Sequence, residues 1–429
     1  MPMNRRLFAA SSGLLLAAPA LAQFRVEISG VGATQLPIAI ARFRDEDRTT
    51  QSVSAVIKAD LERSGLFRSV KTDQVIDESA KPNLGDWRGQ SADQSADALL
   101  AGSVTRLADG RFDVRYKLWD VVKGRELVFA NVTAGPAELR LAAHRIADVV
   151  YEKLTGEKGV FSTFIAYVTR SGKRYALRVD HADGAGGEVA LQSSEAIISP
   201  AWSPDGQELA YVTFQDERKA AVFAQNIVTG VRRKLASFPG SNSAPSWAPD
   251  GKSLVVTLSR DGGSQLYIIG RNGESPRRLT TSGAIDTEGT FTPDGKQIYF
   301  VSDRSGGPQI YRMSASGGAA ERVSFTGSYN ISPAISPDGR HLAYISRQNG
   351  AFKLYVGEIG KLGNAQAITE TSDDESPSFA PNSKLIIYAT RANGRDTLMT
   401  TTLDGKIKGA LDANRFPDVR EPAWGPFVR

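Results

Sequence analysis

The stretch "ISPAWSPDGQELAYV", Ile198 to Val212, is written again as "SAPSWAPDGKSLVVT" from Ser243 and as "TEGTFTPDGKQIYFV" from Thr287. With the proline of each turn as marker, the copies fall at Pro204, Pro249, Pro293, Pro337 and Pro381, in steps of 45, 44, 44 and 44, and a further step of 45 reaches Pro426. A strand-rich unit with a period in the forties indicates a β-propeller. Just before the turn stand Trp202, Trp247, Phe291, Ile335, Phe379 and Trp424; beyond it Leu209, Leu254, Ile298, Leu342 and Ile386 alternate with Tyr211, Val256, Phe300, Tyr344 and Tyr388. Period-two alternation on both sides of a turn is a hairpin. Proline presets φ, aspartate bonds its own backbone, and glycine takes the left-handed position. In the fifth copy Asn382-Ser383 replaces Asp-Gly, and Asn is expected to tolerate the left-handed place.

Each unit adds a third strand ("SQLYIIG", "PQIYRMS", "FKLYVGE") and a fourth ("PRRLTT", "AERVSF", "AQAITE"). Four strands make one blade. The 269 residues from Phe161 to Arg429 hold six units of this length, but only five are continuous. "TFIAYVT" (163–169) matches "ELAYVT" without its leading strand, and "REPAWGP" near the other end has a leading strand and nothing after it. The expected fold class is therefore an N-terminal α/β domain followed by an all-β six-bladed propeller closed by the C-terminal strand. Closure removes unpaired strand edges.

Residues 23–155 carry no such period and form the expected α/β domain; the propeller is placed at 161–429. "LPIAIARF" reads as a buried strand. "SVSAVIKADLERSGLF" carries a helical stripe of Val53, Val56, Ile57, Leu61 and Leu66. "RFDVRYKLWDVVKGRELVFANVT" alternates around Lys123-Gly124 as a hairpin, and "ELRLAAHRIADVVYEKLTG" is amphipathic up to Gly156. Helices on one face of a small mixed sheet give this class of domain.

Met1 to Ala22, "MPMNRRLFAASSGLLLAAPALA", has a basic start at Arg5-Arg6, an apolar centre and Ala20-Leu21-Ala22 as an A-x-A site. It reads as a secretory signal peptide cleaved between Ala22 and Gln23. Arg5-Arg6-Leu7-Phe8 also fits part of a twin-arginine signal, which Asn4 and Ala9-Ala10 fit poorly; Sec export is the preferred reading. "QFRVEISGVGATQ" behind it ends rich in glycine, and 23–34 is read as an arm rather than core. No later segment has the roughly 20 apolar residues of a membrane span. Without the leader's two arginines, 50 basic residues face 47 acidic ones, a net charge of +3 that gives no argument for nucleic acid. Cysteine is absent, so the chain has no disulfide and no thiolate metal site.

No G-x-S-x-G elbow, phosphate loop or dinucleotide fingerprint is present. His144, His181 and His341 lie far apart in sequence and are expected to be unrelated; no catalytic residue and no protein-held metal site are assigned. The linkers ahead of each inner strand surround one mouth of a propeller channel: "SNSAP" (241–245), "IDTEG" (285–289), "SYNISP" (328–333), "DDESP" (373–377) and "DVREP" (418–422). Asp286, Glu288, Asp373, Asp374, Glu375, Asp418 and Glu421 give this mouth one sign of charge, which focuses field on whatever enters. Glu208, on a blade hairpin, is expected to lie away from it.

The leader, the α/β domain, the junction "YEKLTGEKGVFSTFIAYV" (151–168) and "PDG" blades ending in "AWGP" together resemble the TolB family, periplasmic propeller proteins of the Tol–Pal cell-envelope system. The resemblance covers nearly all of the chain behind the leader. It implies a non-enzymatic periplasmic adaptor in a peptidoglycan-associated envelope complex. Such an adaptor binds the lipoprotein Pal at the propeller mouth and the inner-membrane-anchored TolA through the N-terminal arm, supporting outer-membrane integrity and envelope constriction at cell division. By motif, the family's Pal positions fall on Ser241, Asn242 and Ala244 in "GSNSAP" and on Thr287 and Glu288 in "DTEG"; the family often has His where Ser241 stands. With Asp286, Asn330, Asp374, Glu375 and Glu421 these form the expected Pal surface. The arm contact maps to Gln23, Phe24, Arg25, Val26, Glu27 and Ile28. No cofactor is expected, although the channel's oxygen ligands would suit a hydrated cation such as Ca²⁺. A reading of another class, a metal-dependent propeller hydrolase or lactonase at the acidic mouth, requires carboxylates that converge on one ion.

Overall fold

Strand β1 (Leu36–Ile40) shows how the first domain is built. In the computed structural model, which describes residues 35–427 apart from 90, 92, 93, 217 and 393, Leu36, Ile38 and Ile40 face one core while Ala39 and Ala41 face another. The leader, its cleavage point and the arm residues Gln23 to Ile28 lie outside the described residues. β1 runs parallel to both β2 (Phe67–Val70) and β3 (Ala98–Arg106); β3, β4 (Phe112–Asp120) and β5 (Arg125–Ala134) continue antiparallel, in the order β2-β1-β3-β4-β5. Helices α1 (Val53–Arg63) and α2 (Leu139–Thr155) cover one face, where Val53, Ile57, Leu61, Ile146 and Val150 meet Ile38, Leu100 and Leu118. Ser52 accepts the Ala55 N–H at 3.3 Å and caps α1. That helix ends before Leu66, which packs on the core from the turn ahead of β2 rather than from the helical stripe. The turn is made by Gly65 at φ +78°, where a Cβ would stand 2.7 Å from Ile407 of the propeller, so glycine is needed both for the backbone and for the close approach.

α2 stops at Gly156 in the left-handed conformation. Asp148 on α2 then accepts the N–H groups of Phe161 and Ser162 at 2.8 and 3.1 Å, tying the first domain to the start of the propeller.

Six four-stranded antiparallel sheets follow. Five are continuous in sequence. The sixth takes its inner strand from Val419–Trp424, which pairs with Phe164–Ser171 in the register Val419↔Thr169 and Trp424↔Ile165. Three outer strands are only two residues long: Arg277–Arg278, Glu321–Arg322 and Gln366–Ala367. Short outer strands leave little edge for another chain to pair with. Tyr167, Tyr211, Val256, Phe300, Tyr344 and Tyr388 are fully buried, one per blade, as the alternation requires.

The tryptophans brace neighbouring blades. The Trp202 indole N–H donates to the Ala423 carbonyl at 3.1 Å, and that of Trp247 to the Ala201 carbonyl at 3.2 Å. Trp247 and Trp424 are buried, whereas Trp202 is only half-buried. The turn glycines Gly206, Gly251, Gly295 and Gly339 all have φ near +70°, between 67° and 71°. In the fifth turn it is Ser383, at φ +62°, that takes this place, not Asn382. Asn382 instead stands in for the aspartate, its Oδ1 accepting the Lys384 N–H at 3.1 Å. Ser383 is held there by burial and by accepting the Asp338 N–H at 3.0 Å from the preceding blade.

Candidate functional site

All six inner strands carry the same defect. Between Thr287 and Thr290, and at the equivalent point of each other inner strand, two residues oppose one on the partner strand. Such a bulge bends the strand and redirects a side chain. The redirected residues are Ser199, Ala244, Glu288, Ser332, Ser376 and Glu421, with φ between +47° and +54°. Each stands five positions before a marker proline, and each but Glu288, which precedes Gly289, is followed by proline. Proline has no N–H to leave unpaired at a bulge.

This ring lines a central cavity of about 550 Å³ to which every inner strand contributes. Its charged lining residues are Glu288, Glu375 and Glu421; no lysine or arginine is among them. Two of these glutamates couple blades. Glu288 Oε2 accepts the Ser332 N–H at 2.7 Å, and Glu421 Oε2 accepts the Ser199 N–H at 3.1 Å, each satisfying a bulge donor of the neighbouring inner strand. Burial, without a compensating cation, holds the Glu288 carboxyl above the usual carboxylate range. Burial and then the Glu421 charge raise Glu375. Glu421 is raised by burial, and the Glu288 charge across the channel adds to it, against the opposing pull of the Ser199 N–H.

Four of the ten mouth residues expected from sequence, Ala244, Glu288, Glu375 and Glu421, line this cavity. Four others do not, and their assignment to a partner surface is corrected here. Asn242, Asp286, Asn330 and Asp374 are at most 2% exposed. They form a second column, two residues ahead of the ring, and each is occupied by hydrogen bonds: Asn242 to its linker, Asp286 to its linker and its own blade, Asn330 to its linker and the preceding blade, and Asp374 to its linker, its own blade and the preceding one. Asn242 accepts the Phe238 N–H at 2.9 Å and donates to the Phe238 and Gly240 carbonyls. Asp286 takes the Ser282 hydroxyl at 2.6 Å and Arg304 at 2.9 Å. Asn330 donates to Gln309 Oε1 and the Thr326 carbonyl. Asp374 accepts the Leu354 N–H and three threonine hydroxyls, from Thr369, Thr371 and Thr390. Thr287 meets Thr257 hydroxyl to hydroxyl at 3.2 Å, and Ser241 is exposed at the linker, its N–H donating to the Ser259 hydroxyl.

Glu208 does not line the channel, but it is no neutral surface position either. It is 5% exposed and pairs with Arg233 of its own blade and, at 2.7 Å, with Arg271 of the next. The expectation that the histidines are unrelated also fails: His144 and His181 meet across the domain junction, ring centroids 5.3 Å apart and nearly perpendicular. Among the described residues, the one group of three potential ligand side chains whose donor atoms come within 4.8 Å of one another is His144, His181 and Asp183 at that junction. The channel carboxylates therefore do not converge on one ion, as a metal-dependent hydrolase at the mouth would need.

The ring and its acidic cavity define a six-bladed propeller protein with a small α/β domain in front. Residues 151–428 match the family model described as "TolB beta propeller domain", and residues 24–127 match "TolB amino-terminal domain". The chain belongs to the TolB family. It is 35% identical to the TolB of Acinetobacter baumannii, whose crystal structure superposes with a TM-score of 0.81 over 92% of this chain and 97% of that one. It is 61% identical to the "Tol-Pal system protein TolB" of Polaromonas sp. (strain JS666 / ATCC BAA-500) over 53% of this chain and 52% of the relative. The Bordetella parapertussis protein of the same name is 48% identical over 67% of this chain and 65% of that one. The chain thus spans about half the length of the Polaromonas relative it matches.

Proposed function

We propose that this protein is a non-enzymatic adaptor of the Tol–Pal cell-envelope system that takes the lipoprotein Pal at the propeller mouth and TolA through the arm at residues 23–34. In this reading it works in the periplasm, behind a cleaved leader, and contributes to outer-membrane integrity and to constriction at division. Among the described residues no helix is long and apolar enough to cross a membrane. The observation that carries the reading is the channel: three glutamates with raised pKa values and no basic residue in the lining. A partner that brings a hydrogen-bond donor there forms a charge-assisted bond in a partly dry site. Family membership supplies the system; the partners themselves come from the resemblance.

The channel also suits a second ligand, a hydrated cation such as Ca²⁺ held through its water shell by carboxylates that do not converge on it directly, because the lining carries no competing positive charge. Calorimetric titration with soluble Pal, with and without Ca²⁺, tests both. Glu288→Lys should weaken Pal binding at least about tenfold, or roughly 1.4 kcal/mol. Glu321→Lys on an exposed outer strand should bind as wild type. Wild-type affinity in Glu288→Lys, with its melt unchanged, would remove the channel from the binding reading.

A further inference from the structure

We infer that the junction between the two domains is a binding site for a borderline transition-metal ion such as Zn²⁺, held by His144 Nε2 from α2 and by His181 Nδ1 and the Asp183 carboxylate from the propeller. The three residues are 0%, 6% and 5% exposed. Their candidate ligand atoms lie within 4.8 Å of one another, and His144 Nε2 is 3.5 Å from Asp183 Oδ2. Ligands about 2.0–2.1 Å from a tetrahedral zinc stand roughly 3.4 Å apart, so small side-chain shifts close the site.

Two independent features point to a ligand. First, His144 Nε2 and His181 Nδ1 are both buried without a hydrogen-bond partner. Buried polar atoms are nearly always satisfied, and two ring nitrogens without partners in one cluster need an explanation. Second, the other nitrogen of His144 is already oriented as in metal sites: Nδ1 stands 2.6 Å from Asp60 Oδ2, the carboxylate–histidine relay that fixes a ligating ring and its tautomer. Asp183 Oδ2 accepts both Nε, at 2.9 Å, and Nη2 of Arg140, whereas Oδ1 accepts the Ala185 N–H at 3.1 Å and keeps a further lone pair.

The chemistry also sets the class of ion. Arg63 bonds Asp60 and Arg140 bonds Asp183, so one anionic ligand and two positive neighbours disfavour Ca²⁺ and Mg²⁺, whereas two imidazoles suit Zn²⁺ or Co²⁺. An open cleft of about 430 Å³, lined by Arg63, Arg140, Asp183 and Ile407 among others, reaches the Asp183 edge of the site. One ligand comes from the first domain and two from the propeller, so a bound ion would pin the domains together.

The inference is independent of the Pal and TolA reading. Its test uses the mature chain freed of metal, with Zn²⁺ or Co²⁺ alone as probe. One ion should bind per chain, Co²⁺ should develop visible bands, and Tm should rise by roughly 3 °C at a hundredfold excess of ion over Kd. In ¹⁵N-histidine NMR of the wild type, ring signals of His144 and His181 should shift on adding Zn²⁺ while that of His341 stays. His181→Gln should bind at least tenfold more weakly, and His341→Gln should bind as wild type. Unmoved ring signals at saturating Zn²⁺, a shift at His341 alone, or full affinity in a folded His181→Gln would overturn the assignment. The wild-type spectra decide the matter even where a variant does not fold.

Discussion

Shortening the chain after Val419 removes most of the inner strand of the sixth blade, and its effect can be worked out contact by contact. Trp424 is 7% exposed and packs among Ile165, Tyr167, Ile387 and Val419. Its indole N–H donates to Thr163 Oγ1 at 2.9 Å, and its backbone N–H to Ser378 Oγ of the preceding blade. Trp424→Ala should destabilise by about 3–5 kcal/mol, the usual range for emptying a large aromatic site. Trp424→Phe keeps most of the apolar contact but loses one hydrogen bond, and should cost about 1–2 kcal/mol. Removal of 420–429 adds the loss of the ladder to Phe164–Ser171, of the acceptor for Trp202 and of the Glu421 bond to Ser199. It also leaves Phe164–Ser171 as an unpaired edge beside a channel open on one side. The order of stability should be wild type, Trp424→Phe, Trp424→Ala, then the shortened chain, with the last no longer unfolding in one cooperative step. Urea unfolding followed by circular dichroism and tryptophan fluorescence measures this. A shortened chain that melts with wild type would show that the ring does not depend on this strand.

Two further outcomes follow from buried charge. The folded-state pKa of Glu288 lies above its unfolded value, so its contribution favours the fold below about pH 4.5 and is lost as pH rises through the folded pKa. Glu288→Gln, whose amide oxygen can still accept the Ser332 N–H, should therefore melt above wild type at pH 7.5 and converge with it near pH 4; a gap of the opposite sign would count against the buried ionised carboxylate. Glu208 has the reverse linkage: the hydrogen bond from Arg233, and then its charge and that of Arg271, hold its pKa down, so this stability is present above about pH 4.5 and lost on acidification. Glu208→Lys should destabilise by about 3–5 kcal/mol because it strands two arginines against a third cation; a denaturation midpoint within error of wild type would refute the buried cluster.

The ring was legible because its cause is periodic. One turn chemistry, one aromatic column and one alternation recur at a nearly constant step, and the incomplete copies at 163–169 and 419–424 have no other way to complete a blade. The site was legible only in part. Asp286 and Glu288, or Asp374 and Glu375, look alike in sequence as acids on a linker, yet the first of each pair is buried in hydrogen bonds and the second lines the cavity. Asp374 and Glu375 are neighbours and part by alternation alone, but Asp286 and Glu288 stand two apart, and what separates them is the bulge, which breaks the alternation of sides by inserting a left-handed residue. A trace of it is present in the sequence, since the position five residues before each marker proline precedes Pro or Gly in all six copies. The histidine pair left no such trace. His144 and His181 belong to different domains, and their contact depends on how α2 docks on the propeller, which no local pattern records.

The same bulge explains why acids can sit in this channel at all. A left-handed residue at a bulge leaves a backbone N–H without its ladder partner, and in a buried ring that donor must be met. Glu288 and Glu421 stand three blades apart, on opposite sides of the six-bladed ring, and each meets the donor of the next blade. Serine or alanine occupies the other four positions. The glutamates thus have a structural reason to be present, but one N–H bond occupies only part of a carboxylate's roughly four acceptor sites. The remaining capacity, in a site where burial has already raised the pKa, is what an incoming donor would use. Binding there adds a hydrogen bond without breaking the one that joins the blades. For this reason Glu288→Gln should spare the ring and weaken an incoming donor only modestly, whereas Glu288→Lys removes the acceptor and repels the donor together. Comparison of the two variants in the same titration separates the ring's own need for the residue from the partner's.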